Sequence, residues 1–404
     1  MTAAARDKLV LLSTAARFDI CATCGPASQV DAGDLFAHSI TRLFRPDGTY
    51  FSVFKVLMTD ACQYDCLYCV NRAGRSCRRH SFTPDELAAT FVDLHERNLV
   101  SGLFLSSGVR GAPGEAMAEM LTAVEILREK HRFGGYVHLK VLPGAPYDCV
   151  ERAVELADRV SVNMEAPTQR ALDKLATRKR LSEDIIQRMQ WIRRASDRAG
   201  PDRLKSGQTT QFVVGPAGES DREILSSVVA LRRSVGLRRA YFSAFSPVPD
   251  TPLEGEPAAP PLRQHRLYQA DWLLREYGFA LGDICFDEGD SLPHDMDPKV
   301  VFAVRNLHLF PLEVNGAARE DLLKVPGVGP RSVARILAAR RRSQITSPAE
   351  LRRLGVTVRR AAPFLLCDGK RIGRISDLLR EKRVPPEQLE LALGPSSWGA
   401  GRTS

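Results

Sequence analysis

The chain has 404 residues, of which 44% are hydrophobic, 26% charged and 7% aromatic, and this composition excludes a largely disordered or collagen-like protein. At roughly 100 to 200 residues per domain, the length predicts two or three domains. The formal net charge is +9, but residues 319–374 alone contain 14 basic and four acidic residues, a local charge of +10. This concentration indicates a polyanion-binding module, although a solvated arginine-rich helical face has the same pattern.

The first residues are not expected to form a targeting signal. The apolar run at 9–16 is short and no small-residue cleavage pattern follows it, so we expect no signal peptide. No run of about 18 apolar residues occurs, which predicts a cytoplasmic protein without a membrane partner. The nine cysteines are odd in number and clustered, a pattern that favours metal or redox chemistry over a disulfide framework.

The predicted elements alternate between strands and helices. A buried strand at 51–59 leads directly into a cysteine cluster. Thr83, Pro84 and Glu86 supply an N-cap, a first-turn proline and a capping-box glutamate for a helix that ends near residue 98. Six such strands predict an α/β fold with a parallel sheet, either doubly wound or a complete or partial barrel. The other strands are predicted at 102–106, 136–141, 159–164, 209–214 and 240–244, and the other helices at 114–130, 147–157, 181–199 and 220–235.

Composition divides the second half of the chain. Six prolines between residues 247 and 261 predict a linker or an extended strap, and the tail from 394 is expected to be disordered. The expected domains are an N-terminal extension (1–45), the barrel (46–250), a Pro-rich strap with a connecting segment (251–310), a small all-α module (311–367) and a basic C-terminal extension (368–404).

Three cysteines after the first of these strands form the strongest motif. Cys62, Cys66 and Cys69 stand in a C-x3-C-x2-C spacing, in a loop at the carboxyl end of a strand, where parallel barrels place their active sites. Three thiolates in one loop can hold three irons of a [4Fe-4S] cluster and leave the fourth iron open. A zinc site completed by a distant His or Cys and three unrelated buried thiols are the alternatives, although structural zinc sites more often pair two C-x2-C units.

With Tyr68 directly before the third cysteine and a six-strand β/α series around it, residues 46–250 resemble the radical S-adenosylmethionine (SAM) superfamily. The resemblance implies a partial (β/α)6 barrel in which Cys62, Cys66 and Cys69 are the catalytic cluster ligands. It also implies that the open iron chelates SAM and that one electron, from a donor such as flavodoxin or ferredoxin, yields a 5′-deoxyadenosyl radical. That radical takes a hydrogen atom from the substrate.

The resemblance also implies a set of cofactor contacts at the strand ends. The superfamily often has a Gly-Gly-Glu-like turn that holds the methionine amine, and this chain has Ser106, Ser107 and Gly108 there. The acid is missing, so backbone carbonyls and a hydroxyl would bind the amine instead. The expected cofactor-binding residues are Tyr68, Ser106, Ser107, Gly108, Asn163, Glu165, Gln211 and Gly215, with 245–247 near the adenine.

Several residues have two interpretations. Lys140 points either into the barrel mouth or into solvent, and Asn71 and Arg72 either shield the cluster and meet substrate or merely shape the loop. An auxiliary metal site would use Cys21, Cys24 and Cys77, but the spacing supplies no fourth ligand. Cys149 is either a hydrogen-atom donor or, like Cys367, a buried helical cysteine.

The basic segment opens with a second specific pattern. Residues 319–342 contain Pro326, Gly327, Val328 and Gly329 between two short helices and resemble a helix-hairpin-helix module. Small residues leave the hairpin N–H groups accessible to phosphate oxygens. The expected nucleic-acid contacts are Pro326, Gly327, Val328, Gly329, Arg331 and Arg335, with 340–342 adding charge. A hairpin used only for packing or protein contacts is the alternative.

The two modules together resemble bacterial radical SAM proteins described as DNA modification or repair proteins. The resemblance implies a nucleic-acid partner and hydrogen abstraction from a nucleoside in DNA or RNA. Two alternatives remain open: a radical SAM enzyme that acts on a small molecule or peptide and keeps a structural hairpin, and a non-catalytic iron-sulfur protein that binds DNA.

Overall fold

The computed structural model describes residues 3–16, 39–44, 50–200 and 202–376 and divides into two compact units. The first unit comprises the described residues up to 219 together with 227–259, and the second comprises 220–226 and 260–376. Cys21, Cys24 and the tail from 394 lie outside the described residues. No helix within the described ranges is long and apolar enough to cross a membrane.

A seven-stranded sheet forms the centre of the first unit, with strand order β1 to β7. Strands β2 to β7 are parallel, which confirms the predicted series of six, and β1 pairs antiparallel with β2. Strand β1 is not predicted from the sequence, because Thr41 and Arg42 interrupt its apolar pattern and it lies at a sheet edge. The strands are β1 (Ile40–Phe44), β2 (Tyr50–Leu57), β3 (Gly102–Ser106), β4 (Tyr136–Lys140), β5 (Arg159–Ser161), β6 (Gln208–Val214) and β7 (Arg239–Ala244).

Helices alternate with these strands. Thr83 caps α2 through the predicted capping box with Glu86, and Phe54 of β2 packs against Phe91 of α2 at 6.5 Å between ring centres. The predicted helices at 114–130 and 181–199 each include a π-helical segment, 126–130 and 181–186. The helices of this series are α1 (Ala3–Ala15), α2 (Pro84–Glu96), α3 (Pro113–Glu125), α4 (Tyr147–Leu156), α5 (Gln169–Asp173), α6 (Gln187–Ala199) and α7 (Asp221–Val235).

Side chains alternate across each strand, so one face of the sheet packs on helices while the other lines the concave side. Phe54 and Val56 are fully buried beneath the helices, whereas Leu57 reaches the cavity described below. The architecture is therefore a curled partial barrel, and β1 and β7 are its edges in the described part of the chain.

The second unit is mixed rather than all-α, so that prediction is wrong. Strand β8 pairs in parallel with β9, and β10 pairs antiparallel with β9. These strands have two or three residues, too few for a periodic pattern, and the β8–β9 pairing joins segments about 50 residues apart. The unit contains α8 (Pro261–Glu276), α9 (Pro298–Arg305), β8 (Leu312–Glu313), α10 (Arg319–Lys324), α11 (Pro330–Arg340), α12 (Pro348–Arg353), α13 (Val358–Ala361), β9 (Leu365–Cys367) and β10 (Lys370–Arg371).

A buried lysine supports the loop between α10 and α11. The Lys299 ammonium donates to the Val328 carbonyl oxygen at 2.6 Å and lies 4.3 Å from the centre of the Tyr277 ring. Burial lowers the pKa of Lys299 to about 7, far below its value in an unfolded chain. The folded state therefore loses this proton at a lower pH than the unfolded state does.

We expect this lysine to make stability depend on pH. Between about pH 7 and pH 10 the unfolded state binds more protons at Lys299, so the unfolding free energy should rise with pH by up to about 1.4 kcal/mol per unit. Urea unfolding at pH 7, 8 and 9 should show this slope, and Lys299→Met should remove it. Lys370→Met, at an exposed position of the same unit, should keep it; equal slopes in all three proteins would contradict the assignment.

Candidate functional site

A cavity of about 170 Å³ lies at the carboxyl ends of the parallel strands. Its lining comes from the ends of all six parallel strands and from the cysteine loop that follows β2. The polar and sulfur-containing side chains among the lining residues are Cys62, Tyr64, Cys66, Tyr68, Cys69, Asn71, Ser106, Ser107, Lys140, Asn163, Glu165, Lys179, Gln211, Ser243 and Ser246.

Backbone hydrogen bonds hold the three cysteines in their loop. The Val109 N–H donates to the Cys62 sulfur, and the Asn71 N–H donates to the Cys69 sulfur, each at 3.4 Å. The Cys69 N–H donates to the Cys66 carbonyl oxygen at 3.1 Å. Hydrogen bonds to cysteine sulfurs are a recognised means of setting the properties of an iron-sulfur cluster.

Burial of the Cys66 and Cys69 thiols disfavours their free thiolates. Burial raises the pKa of the Cys69 thiol to about 12 and also raises the pKa of Cys66. Iron would supply the missing positive charge, so cluster binding would release protons. Among the described residues, no three His, Cys, Asp or Glu side chains are close enough to share a single metal ion. Each thiol of a cubane cluster binds a different iron.

The turn after β3 packs directly on the cysteine loop. The Gly108 N–H donates to the Thr59 carbonyl oxygen at 2.7 Å, and a Cβ atom on Gly108 would lie 2.4 Å from the Ala61 carbonyl oxygen. Only glycine fits there. The Ser107 hydroxyl is buried and lacks a hydrogen-bond partner among the described residues, so the turn offers a free polar group to a bound cofactor.

A buried ion pair forms another wall of the cavity. The Lys179 ammonium lies 3.3 Å from a Glu165 carboxylate oxygen, and the two side chains are 7% and 6% exposed. Burial opposes the charge on Lys179, but the Cys66 and Glu165 side chains raise its pKa above the usual range. Burial, with the Glu165 charge, also raises the pKa of Tyr68. The Glu165 backbone has φ of 62°, and its N–H donates to the Gln211 carbonyl oxygen at 3.0 Å.

Two lining residues, Lys179 and Tyr64, are not predicted from the sequence. Lys179 lies in the segment between α5 and the π-helical turn, and Tyr64 lies inside the cysteine loop, where its hydroxyl donates to the Pro143 carbonyl oxygen at 3.2 Å. Neither residue belongs to a periodic element or to a spaced motif. The sequence therefore contains no local signal for either of them.

The cavity contains most, but not all, of the predicted cofactor residues. Tyr68, Ser106, Ser107, Gly108, Asn163, Glu165 and Gln211 line it, as do Asn71 and Lys140. Gly215 and Arg72 are not among the lining residues, although the Arg72 N–H donates to the Cys69 carbonyl oxygen at 3.3 Å.

The remaining cysteines lie elsewhere in the described chain. Cys77 is exposed. Cys149 lies on α4, with its sulfur 3.9 Å from the Gly114 carbonyl oxygen, and Cys367 is buried on β9 rather than on a helix. None of them lines the cavity.

In the second unit, the predicted hairpin residues join α10 to α11. Gly327 has φ of 79°, and its carbonyl oxygen accepts from the Thr357 N–H at 2.9 Å. A Cβ atom on Gly327 would lie 2.6 Å from the Thr357 carbonyl oxygen, whereas one on Gly329 would meet only the Tyr277 hydroxyl at 3.4 Å. Pro326 and Val328 are buried.

The groups that face outward at this hairpin are polar and basic. Within the described ranges, the N–H groups of Gly327 and Gly329 have no hydrogen-bond acceptor, and Arg331 and Arg335 are exposed. Of the other basic side chains between 319 and 374, all but Lys324 and Arg340 are also exposed. Residues 319–374 therefore present a strongly positive surface.

Comparison with known proteins finds one matching family model and several solved structures of low sequence identity. Residues 56–229 match the family model of the Radical SAM superfamily. The solved structure of HydG, a maturase of the [FeFe]-hydrogenase, is 11% identical with a TM-score of 0.43, covering 54% of this chain and 48% of that one. The solved structure of methylornithine synthase is 16% identical with a TM-score of 0.42, covering 54% of this chain and 60% of that one. The chain thus spans less than two thirds of these proteins, and no curated protein matches it.

Proposed function

Because residues 56–229 belong to the Radical SAM superfamily, we propose that this radical SAM enzyme abstracts a hydrogen atom from a nucleic-acid substrate, as a step of DNA modification or repair. Membership implies a [4Fe-4S] cluster and SAM as cofactors, and radical SAM enzymes need a reductant. The observation that carries the proposal of a nucleic-acid substrate is the hairpin between α10 and α11, with exposed arginines and with two N–H groups that have no hydrogen-bond acceptor among the described residues.

The residues at the cavity fit the cofactors. Cys62, Cys66 and Cys69 would each bind one iron, and the Ser107 hydroxyl and the Lys179–Glu165 pair lie beside them as polar contacts for SAM. When bound, the cluster and SAM supply a 5′-deoxyadenosyl radical. The buried walls around the cysteines limit access of water, which would protect such a reactive species from side reactions.

The C-terminal hairpin supports a polymer substrate. A helix N-terminus with unpaired N–H groups binds phosphate oxygens without reading the base, and α11 begins at Pro330 directly after these groups. Arg331 and Arg335 lie on the first turns of the same helix. We infer that this helix-hairpin-helix module holds the nucleic-acid backbone and that the barrel performs the chemistry.

The test measures 5′-deoxyadenosine in the reconstituted, dithionite-reduced enzyme with SAM, with and without duplex DNA and RNA. We expect a nucleic acid to stimulate product formation. Absence of 5′-deoxyadenosine under every condition would contradict the radical chemistry, whereas formation that neither polymer affects would contradict the nucleic-acid substrate alone.

Charge reversal at the hairpin should weaken nucleic-acid binding and leave the chemistry of the barrel unchanged. Arg331→Glu with Arg335→Glu should weaken duplex binding by about tenfold or more at 0.1 M salt. The slope of log affinity against log salt concentration should fall by the amount that corresponds to about two phosphate contacts. Fluorescence anisotropy over a salt series measures both quantities. Basal 5′-deoxyadenosine formation should be unchanged.

The matched control is Arg194→Glu with Arg198→Glu, at exposed positions on α6 of the first unit. It introduces the same charge change in the unit other than that of the hairpin. An equal loss of DNA affinity in both double variants would indicate a general effect of net charge and would contradict a site at α11. Gly327 is unsuitable for this test because a side chain there would collide with Thr357.

A further inference from the structure

Four arginines follow the cysteine loop within ten residues of Cys69: Arg72, Arg75, Arg78 and Arg79. Two of them, Arg75 and Arg79, turn their guanidinium groups back onto the main chain of the loop. Arg78, by contrast, is exposed and has no hydrogen-bond or ion-pair partner among the described residues. Neighbouring arginines of this segment therefore differ in what they contact.

Arg75 binds the peptide unit that faces a cysteine sulfur. Its Nη1 donates to the Val70 carbonyl oxygen at 2.9 Å. The N–H of the same peptide unit belongs to Asn71, and it donates to the Cys69 sulfur at 3.4 Å. The C=O and N–H of a trans peptide point in opposite directions. A donor that holds the carbonyl on one side therefore directs the N–H toward the sulfur on the other.

An ion pair fixes the direction of the Arg75 side chain. Its Nε lies 3.1 Å from an Asp250 carboxylate oxygen, and the two side chains are 20% and 68% exposed. An ion pair with so exposed a carboxylate adds little to stability. The guanidinium fork, however, donates to the carboxylate and to the Val70 carbonyl at the same time. Asp250 thus holds Arg75 in the position from which it reaches the loop.

Arg79 holds the main chain around this peptide unit. Its Nη1 donates to the Asp60 carbonyl oxygen at 2.7 Å and to the Asn71 carbonyl oxygen at 3.1 Å. Its Nη2 donates to the carbonyl oxygens of Arg72 and Arg75 at 2.8 and 3.4 Å. One side chain thus ties a residue before the cysteines to residues after them, so the peptide unit that Arg75 contacts lies in a fixed frame.

The N–H that Arg75 directs can affect the redox properties of a bound cluster. A hydrogen bond to a cluster sulfur is stronger in the reduced cluster, because reduction adds negative charge that the sulfurs share. Such bonds therefore favour the reduced form and raise the reduction potential. A guanidinium on the carbonyl side of the peptide unit also polarises the N–H, which strengthens the bond further.

We propose that Arg75 is a positioning residue of the cluster site. It holds the Val70–Asn71 peptide unit so that the N–H stays on the Cys69 sulfur, and it thereby raises the reduction potential of the bound cluster. The inference rests on the proposed assignment of the three cysteines as cluster ligands, but it is independent of the substrate.

Redox titration of the reconstituted enzyme, followed by the electron paramagnetic resonance signal of the reduced cluster, tests this role without any substrate. Arg75→Gln should lower the equilibrium constant for one-electron reduction about threefold to tenfold, because it weakens a hydrogen bond to a charged acceptor. This change corresponds to a midpoint potential about 28 to 59 mV more negative. Arg75→Lys should shift the potential less, because an ammonium group can still donate to the Val70 carbonyl oxygen.

The matched control is Arg78→Gln, which removes the same charge from a neighbouring side chain that is exposed. Its potential should equal that of the wild type. Circular dichroism verifies the fold of each variant, and Arg75→Lys carries the comparison if Arg75→Gln is unfolded.

A second measurement needs no cluster. Hydrogen exchange, followed by mass spectrometry of a peptide that contains Asn71, should show about tenfold faster exchange of this N–H in cluster-free Arg75→Gln than in the cluster-free wild type. Cluster-free Arg78→Gln should exchange at the wild-type rate. This comparison decides the question if Arg75→Gln does not retain its cluster.

Three results would overturn the proposal: an unchanged or more positive potential in loaded Arg75→Gln, equal shifts in Arg75→Gln and Arg78→Gln, or unchanged exchange at Asn71 in a variant that does not retain its cluster. A wild-type enzyme that binds no cluster would overturn the ligand assignment together with this proposal. The nucleic-acid function is tested separately, by the DNA dependence of 5′-deoxyadenosine formation, and its failure would not alter these potentials.

Discussion

Replacing Cys62, Cys66 and Cys69 together by alanine should abolish 5′-deoxyadenosine formation, a loss of at least about a thousandfold set by the detection limit. The reason is that these thiols are the only cysteines lining the cavity in the described part of the chain, and each would bind a different iron. Liquid chromatography of reduced reaction mixtures measures the nucleoside. Iron and sulfide analysis with the visible absorption of the cluster measures the loss of the cofactor itself.

The matched control is Cys149→Ala with Cys367→Ala, which removes two thiols that lie away from the cavity. This variant should retain both the cluster and the activity. Full activity in the triple variant would contradict the assignment of the cluster ligands. Loss of activity in the control, with an intact cluster and fold, would instead return Cys149 to consideration as a hydrogen-atom donor.

Lys179→Met should destabilise the protein without its cluster by about 3 to 5 kcal/mol, because it leaves the Glu165 carboxylate buried without its partner. This value follows from the distance of 3.3 Å between the Lys179 ammonium and the Glu165 carboxylate oxygen and from the near-complete burial of both side chains. Urea unfolding followed by circular dichroism gives the free energy. Cluster content after reconstitution should fall as well, because the lysine also lies beside Cys66.

The double variant Lys179→Met with Glu165→Gln should recover most of that stability, since it removes both charges. Lys174→Met is the control, because Lys174 is exposed and, among the described residues, donates only to the Ala217 carbonyl oxygen. If the single Lys179→Met variant were as stable as wild type, the ion pair would not be buried as described. If the double variant were as unstable as the single one, packing rather than charge would be responsible.

Local patterns predicted the framework of the barrel. The strand at 102–106 matches β3 in both bounds, and the capping box at Thr83 places the start of α2 at the predicted residue. These elements depend on short-range signals: a continuous apolar run and a helix cap. The C-x3-C-x2-C spacing likewise predicted a loop whose three thiols line one cavity.

Features that depend on distant contacts were not predictable in the same way. Strands β8 and β9 form only because segments far apart in the chain meet, and β1 is defined by its pairing with β2. Lys179 lies in an irregular segment, and no sequence pattern there places its side chain beside the cysteines. Lys140 had two possible orientations until the curvature of the sheet placed it inside the cavity.

The hydrogen bonds to the cysteine sulfurs have an evolutionary consequence. Both donors, at Val109 and Asn71, belong to the main chain, and every residue except proline carries such a donor. Substitutions at these two positions, other than by proline, therefore leave the hydrogen bonds to the sulfurs intact. A change that moves the backbone would alter these two hydrogen bonds, and Gly108 is a position where this applies, because a side chain there would collide with Ala61.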